Sequence, residues 1–175
     1  MMPRADTAWT YIQNRFDGSV DFNRNWKDYK NGFGNIDGEH WLGLENIHKL
    51  THGRPMDIRL DAVDFEGSKK WVTFKNFSIE NEANYYRLIH DDWRLNMNGM
   101  EFSTPDVDRD TYVEGNCAED YSSGWWHGNC FRMNFNGVYR NTPTPPGMRQ
   151  GIVWKSWKTE NVLLKEASIM IRRPR

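Results

Sequence analysis

A chain of 175 residues, 38% of them hydrophobic and 14% aromatic, can bury one sizeable core, so a single domain is expected. Its 23 basic and 24 acidic residues leave a net charge of -1, which gives no electrostatic ground for binding nucleic acid or an anionic membrane. No stretch approaches the apolar length of a membrane helix, and the opening MMPRADTAW has neither the apolar segment nor the small-residue cleavage site of a secretion signal.

Trp9 to Arg15 reads as a strand, with Asp17-Gly18 as the turn after it. Asn25 is placed to cap a short helix over Trp26 to Asn31, stopped by Gly32. Gly34 to Gly38 is a loop. Leu44 to Thr51 predicts a second helix with Leu44, Ile47, His48 and Leu50 near one face and Gly53 at its end. His48 and His52 have a spacing that suits a metal on a helix, but the glycine beside His52 favours a frayed end. Met56, Ile58 and Leu60 alternate with Asp57, Arg59 and Asp61, the period of a strand with one buried face. Trp71 to Phe77 and Tyr85 to Ile89 give two more strands. The links at Phe65 to Gly67 and Glu80 to Glu82 are too short for parallel crossovers, so an antiparallel meander is expected. Most of the nine tryptophans, nine phenylalanines and seven tyrosines fill the core.

After His90 the texture changes to short loops rich in Asp, Asn, Gly and Pro, which need braces besides a core. Cys117 and Cys130 are the only cysteines. They either stay as two separate thiols or close a short loop, and the intervening Tyr-Ser-Ser-Gly favours closure because it lets the chain turn back. Such a bridge contributes about 3 kcal/mol and implies an oxidising compartment. Asp106, Asp108 and Asp110 alternate just before Cys117. They suit either a hard cation such as Ca2+, which takes six to eight oxygen ligands, or a solvated acidic turn. An EF-hand does not fit, because Thr111 or Val113 falls where its glycine belongs. No nucleophile elbow, phosphate loop or facing carboxylate pair accompanies His40, His90 or His127, so no catalytic residue is assigned and an enzyme is not expected.

The string FSTPDVDRDTYVEGNCAEDYSSGWWHGNC resembles the calcium loop and second disulfide of fibrinogen C-terminal domains. That module is found in fibrinogen chains, ficolins, tachylectins, tenascins and angiopoietins. WTYIQNRFDGSVDFNRNWKDYKNGFGNIDGEHWLGLENIHKLT resembles the family's opening signature. NMNGMEFST, NFNGVY, GIVWKSW and IMIRRP follow in the family order. The resemblance runs from Trp9 to Pro174. It implies an α+β fold in one domain over 1–175, lacking the family's opening cysteine-containing segment. Residues 9–90 and 166–174 would build a mainly antiparallel sheet flanked by short helices, and 91–165 a loop-rich calcium and ligand region with its rim trimmed after His90. The last strand, around Ile169 to Ile171, would return to the main sheet.

The resemblance further implies Ca2+ held by the Asp108 and Asp110 side chains, with carbonyls of Tyr112 and of Glu114 or its neighbour. The segment to Cys117 is one residue longer than usual, which bears on the carbonyls. A ligand pocket would form around a cis Asn129-Cys130 peptide, with Asp120, Tyr121, Cys130, Phe131, Tyr139 and Met148 around it. Phe131 stands where acetyl-binding members have a histidine, Met148 and Glu160 where they have tyrosines, and Arg149 replaces a small residue. The fibrin-type pocket uses a carboxylate at the position of Tyr121. The implied function is a calcium-stabilised, secreted recognition module of the lectin type in innate immunity, for carbohydrate or acetylated ligands. The alternative is a protein-interaction domain of an adhesion or receptor-ligand protein. Oligomerisation would run through segments outside this chain, with no membrane insertion.

Overall fold

The computed structural model describes residues 8–91, 97–143, 151–158 and 162–174. Seven strands form one antiparallel sheet: β1 (Thr10–Arg15), β2 (Phe33–Gly34), β3 (His40–Trp41), β4 (Met56–Asp64), β5 (Lys69–Ile79), β6 (Leu88–Ile89) and β9 (Leu164–Arg172). Their order is β2-β3-β1-β9-β4-β5-β6. A two-stranded ladder, β7 (Met133–Asn134) with β8 (Val153–Trp154), lies in the loop-rich part. The helices are α1 (Trp26–Asn31), α2 (Leu44–Thr51) and α3 (Cys117–Asp120). This is the expected α+β architecture, and β9 does return to the main sheet, pairing β1 on one side and β4 on the other.

Local chemistry explains the boundaries. The Asn25 side chain accepts from the Asp28 amide at 3.0 Å, so α1 starts there, and Gly32, at φ 93°, takes the chain out. Helix α2 buries Leu44, Ile47 and Thr51, while Leu50 is 42% exposed, which corrects the predicted face. Thr51 lies two turns on from Leu44 and therefore on the same stripe, and its hydroxyl donates to the Ile47 carbonyl at 2.9 Å. Along β4 the alternation holds from Ile58 onward, but Asp57 is buried as well and pairs with Arg172. Beside it the register with β5 skips: Met56 faces Phe77 while Ile58 faces Phe74, so β5 carries one extra residue.

The strand expected from Tyr85 to Ile89 shrinks to Leu88–Ile89. Tyr85 and Tyr86 both adopt left-handed φ after a 3-10 turn over Glu82–Asn84. Packing overrides strand propensity here. The Tyr86 ring is fully buried, its hydroxyl donates to Glu45, and its carbonyl accepts from Trp126 Nε1 at 2.9 Å.

One aromatic core joins the sheet to the loops. Phe102 meets Trp126 edge-on at 5.1 Å and lies 5.9 Å from Trp41 and 5.3 Å from Tyr29. Gly124 is required at this seam, because a Cβ there would stand 2.5 Å from the Tyr29 ring. Two buried polar residues of β1 complete the junction. Gln13 donates to the Phe135 carbonyl and Asn136 Oδ1, and Arg15 donates to the carbonyls of Phe135 and Gly137. Burial lowers the Arg15 pKa to about 10 against the opposing pull of Glu39, and its guanidinium lies 3.8 Å from the centre of the Phe22 ring. Glu39 is buried too and shapes the Asp17-Gly18 turn by accepting from the amides of Phe16, Asp17, Gly18 and Val20.

Candidate functional site

The three alternating aspartates do different work. Asp106 accepts from the amide of Trp26, the first residue of α1, and from the Thr104 hydroxyl, so it ties the acidic loop to α1. Asp108 is exposed and accepts from the Asp110 amide at 3.2 Å. Asp110 is half-buried and accepts from the amides of Tyr112 and Cys117, both at 2.8 Å. Burial raises the Asp110 pKa; those two amides oppose the shift and the Asp108 charge adds to it.

Two neighbouring carboxylates that make no ion pair among the described residues are a donor set that suits a hard divalent cation. Among the described residues no three His, Cys, Asp or Glu side chains converge on one point, so an ion here needs backbone oxygens as well. The Tyr112 carbonyl lies in this loop, accepting from the Gly115 amide at 3.3 Å, and Glu114 is exposed beside it. An open hollow of about 670 Å3 runs past Asp108 and Asp110, walled by Arg87, Glu101 and Arg109. Arg87 and Arg109 both pair with Glu101, at 2.7 and 2.9 Å.

The same loop is tied to the cysteines. Cys117 opens α3, whose Asn116 cap accepts from the Glu119 amide at 3.0 Å, and Cys117 is bridged to Cys130 with Cα atoms 5.5 Å apart. The Asn129-Cys130 peptide is cis, as the resemblance implied. Gly128 packs the turn by donating to the Cys130 carbonyl at 2.7 Å while its own carbonyl accepts from the Thr111 amide. Among the described residues, none accepts a hydrogen bond from the amides of Cys130 or Phe131.

Around this peptide the structure brings together Tyr121 and Phe131, ring centres 4.6 Å apart and edge-on, with the Lys155 ammonium 5.0 Å from the Phe131 ring. Asn129 and Asp120 are exposed. Tyr139 has a bracing position instead: its ring packs on Gly18, its hydroxyl donates to the Phe16 carbonyl at 3.0 Å, and it makes no described contact with Tyr121 or Phe131. Met148, Arg149 and Glu160 lie outside the described residues. The Trp125-Trp126 pair is core, each at most 3% exposed.

His127 went unassigned in the sequence, and no spacing signalled it. It is fully buried within the disulfide-closed loop, 5.8 Å from the Phe131 ring, with Nε2 3.1 Å from the Ser123 carbonyl. Burial pushes its pKa down to about 4, although the carbonyls of Ser123 and Cys130 oppose the shift. Ser123 also accepts from Asn134 Nδ2 at 2.8 Å, so a buried polar network underlies the exposed peptide. Another open cleft, of about 720 Å3, lies elsewhere, among Thr10, Lys49, His52, Arg54 and Arg172.

Comparison with known proteins agrees with this architecture. The family model "Fibrinogen beta and gamma chains, C-terminal globular domain" matches residues 2–175. Human fibrinogen-like protein 1 is 41% identical over 186 residues, covering 94% of this chain and 59% of that protein, so the chain spans about six-tenths of this relative. The fibrinogen-like globe domain of human ANGPTL2 superposes with a TM-score of 0.91 at 38% identity, covering 99% of this chain and 83% of that one. A lamprey fibrin D-dimer complexed with the peptide Gly-His-Arg-Pro-amide gives 0.88 at 31% identity, covering 97% and 62%. In that lamprey structure the bound peptide is a ligand of the relative. The chain belongs to the fibrinogen C-terminal domain family.

Proposed function

We propose that this chain is a calcium-braced, extracellular recognition domain whose ligand surface is the cis Asn129-Cys130 peptide with Tyr121 and Phe131. The observation that carries this reading is the placement of two backbone amides, of Cys130 and Phe131, without acceptors among the described residues and beside an aromatic pair. Such a surface suits an acyl carbonyl attached to a small apolar group: the amides donate to the oxygen and a ring covers the methyl. An acetamido group on a sugar has this chemistry, which is the lectin reading. A peptide carbonyl has it too. The peptide held by the lamprey fibrin relative, together with Phe131 in place of the histidine of acetyl-binding members, favours an extracellular protein ligand as the second reading. The disulfide and the fibrinogen-like relatives support a secreted location.

Asp108 and Asp110 would hold Ca2+ with the carbonyls of Tyr112 and Glu114. The ion would neutralise the carboxylate pair and fasten the loop that ends at Cys117. Asp110 and the disulfide then position the cis peptide, Tyr121 and Phe131 from two sides.

Retention on an N-acetylglucosamine resin, in calcium and then in chelator, with melting curves in both buffers, tests the reading. Calcium-dependent retention with a calcium-raised melt supports the lectin form. A calcium-raised melt without retention moves the ligand to protein, and a melt indifferent to calcium removes the ion. Tyr121→Ala should abolish retention with little change in melting temperature; unchanged retention sinks the site.

A further inference from the structure

The long strand β5 is covered on only one flank for most of its length. β4 pairs with it from Lys69 to Phe77, whereas β6 pairs only Ser78 and Ile79. Among the described residues no strand lies against Lys69 to Phe77 on the side away from β4. An open edge of this kind, carrying Trp71 at 60% exposure, is a template for pairing with another chain. Natural edges are blunted by lysines and bulges, and β5 has both: Lys69, Lys70 and Lys75 are exposed, and the extra residue opposite β4 falls beside Asn76, which is at φ 56°.

Asn76 is exposed and begins the triplet Asn76-Phe77-Ser78. No other asparagine in the sequence has Ser or Thr two residues further on. This triplet is the acceptor pattern for N-linked glycosylation, which takes place on a chain entering the secretory lumen. Phe74 and Phe77 are buried on either side, but the Asn76 side chain stands outside, its Nδ2 donating to Asp91. Nδ2 carries two hydrogens, so one can be replaced while the other keeps that bond.

We propose that Asn76 carries an N-linked glycan, and that this glycan masks the open edge of β5. The proposal rests on the extracellular reading above. The donor is a lipid-pyrophosphate-linked oligosaccharide. Asn76 Nδ2 forms the bond to the anomeric carbon, the carbon–oxygen bond to the pyrophosphate breaks, the pyrophosphate leaves with that electron pair, and the displaced Nδ2 proton passes to a base. No oxidant or reductant is involved. A bulky, hydrated group at the bulge stops a second strand from aligning along Lys69 to Phe77 while leaving the ladder with β4 on the other flank intact.

The test expresses the whole chain behind a cleavable secretion leader in an animal cell line, as wild type, Ser78→Ala and Ser78→Thr. Peptides from the medium and from the cell membranes are mapped by mass spectrometry before and after amide-cleaving glycosidase, so a chain that stays in the cell is still scored. Glycan on Asn76 in wild type and Ser78→Thr, lost in Ser78→Ala, is the expected result; an unmodified Asn76 in wild type overturns the proposal. Sedimentation then reads the masking. Ser78→Ala with an unaltered melting curve should associate at concentrations where the glycosylated forms stay single, and identical sedimentation of all three overturns the masking. The calcium melt and resin retention on the same samples score the ligand reading separately.

Discussion

Along β4, Ile58 sits between Ile171 and Phe74, Leu60 between Ile169 and Val72, and Ala62 between Ala167 and Lys70, so that backbone answers backbone on both flanks. Between Ser103 and Asn136 turn carbonyls share the work with side chains. The amides of Tyr112 and Cys117 go to Asp110, that of Arg109 to the Ser103 hydroxyl, that of Glu119 to Asn116, and that of Asn136 to Asn134. Both solutions satisfy buried polar groups. The difference is in redundancy: a ladder survives the loss of any one side chain, whereas a loop held by Asp110 or Asn134 does not. The exposed cis peptide and its aromatic neighbours lie on the second kind of scaffold, so their geometry is open to change by single substitutions.

The sharpest way to break this contrast is at the seam. Arg15→Ala removes the donor to the carbonyls of Phe135 and Gly137, and should cost about 3 kcal/mol in denaturant unfolding. Hydrogen exchange should show the amides around Phe135 opening first; uniform loss across β4 and β9 would mean that the two regions are one cooperative unit. Replacing both cysteines by serine should cost about 3 kcal/mol. Protection should fall in residues 106–131 while the β4 and β9 ladders persist.

Acid should act on the loops before the sheet. His127 has a folded pKa of about 4 against an ordinary 6.5. Below 6.5 the unfolded chain binds a proton that the folded chain refuses, so stability is full above that pH and declines as pH falls toward 4, by about 3 kcal/mol at the bottom of the window. Unfolding curves across this range should show the loss, and His127→Met should flatten it. The smallest effect is expected at the α3 cap, where Asn116→Ala should cost about 1 kcal/mol and loosen the Asp110 loop without touching the sheet.

The same contrast decides how much of the molecule was legible in the sequence. α1 and α2 could be bounded to the residue because Asn25, Gly32 and Gly53 are local punctuation, and β4 was recognised by its period of two although it runs on past Asp61 to Asp64. Tyr85 and Tyr86 misled, since their fate depends on Glu45 and Trp126, far away in the chain. The roles of Arg15 and Glu39 had no local signature: each is an ordinary charged residue until the turn or carbonyls it serves are assembled. Family motifs brought Asp108, Asp110 and Asn129-Cys130 into view. They did not reveal that Tyr121 leans on Phe131, that Tyr139 braces the Asp17-Gly18 turn, or that a neutral histidine lies within the disulfide-closed loop.

The position of β9 also sets the order of biosynthesis. Leu164–Arg172 occupies the middle of the sheet but is translated after the other eight strands. While the chain is emerging from the ribosome, β1 with its small partner β3 and the β4-β5 hairpin are two separate pieces, each with an unfilled slot where β9 belongs. Closure therefore waits until β9 has emerged, and chaperones have a long interval in which to hold both pieces. A chain that stops before Leu164 should yield two half-sheets and no domain, so truncation just ahead of β9 should be as damaging as truncation after β1.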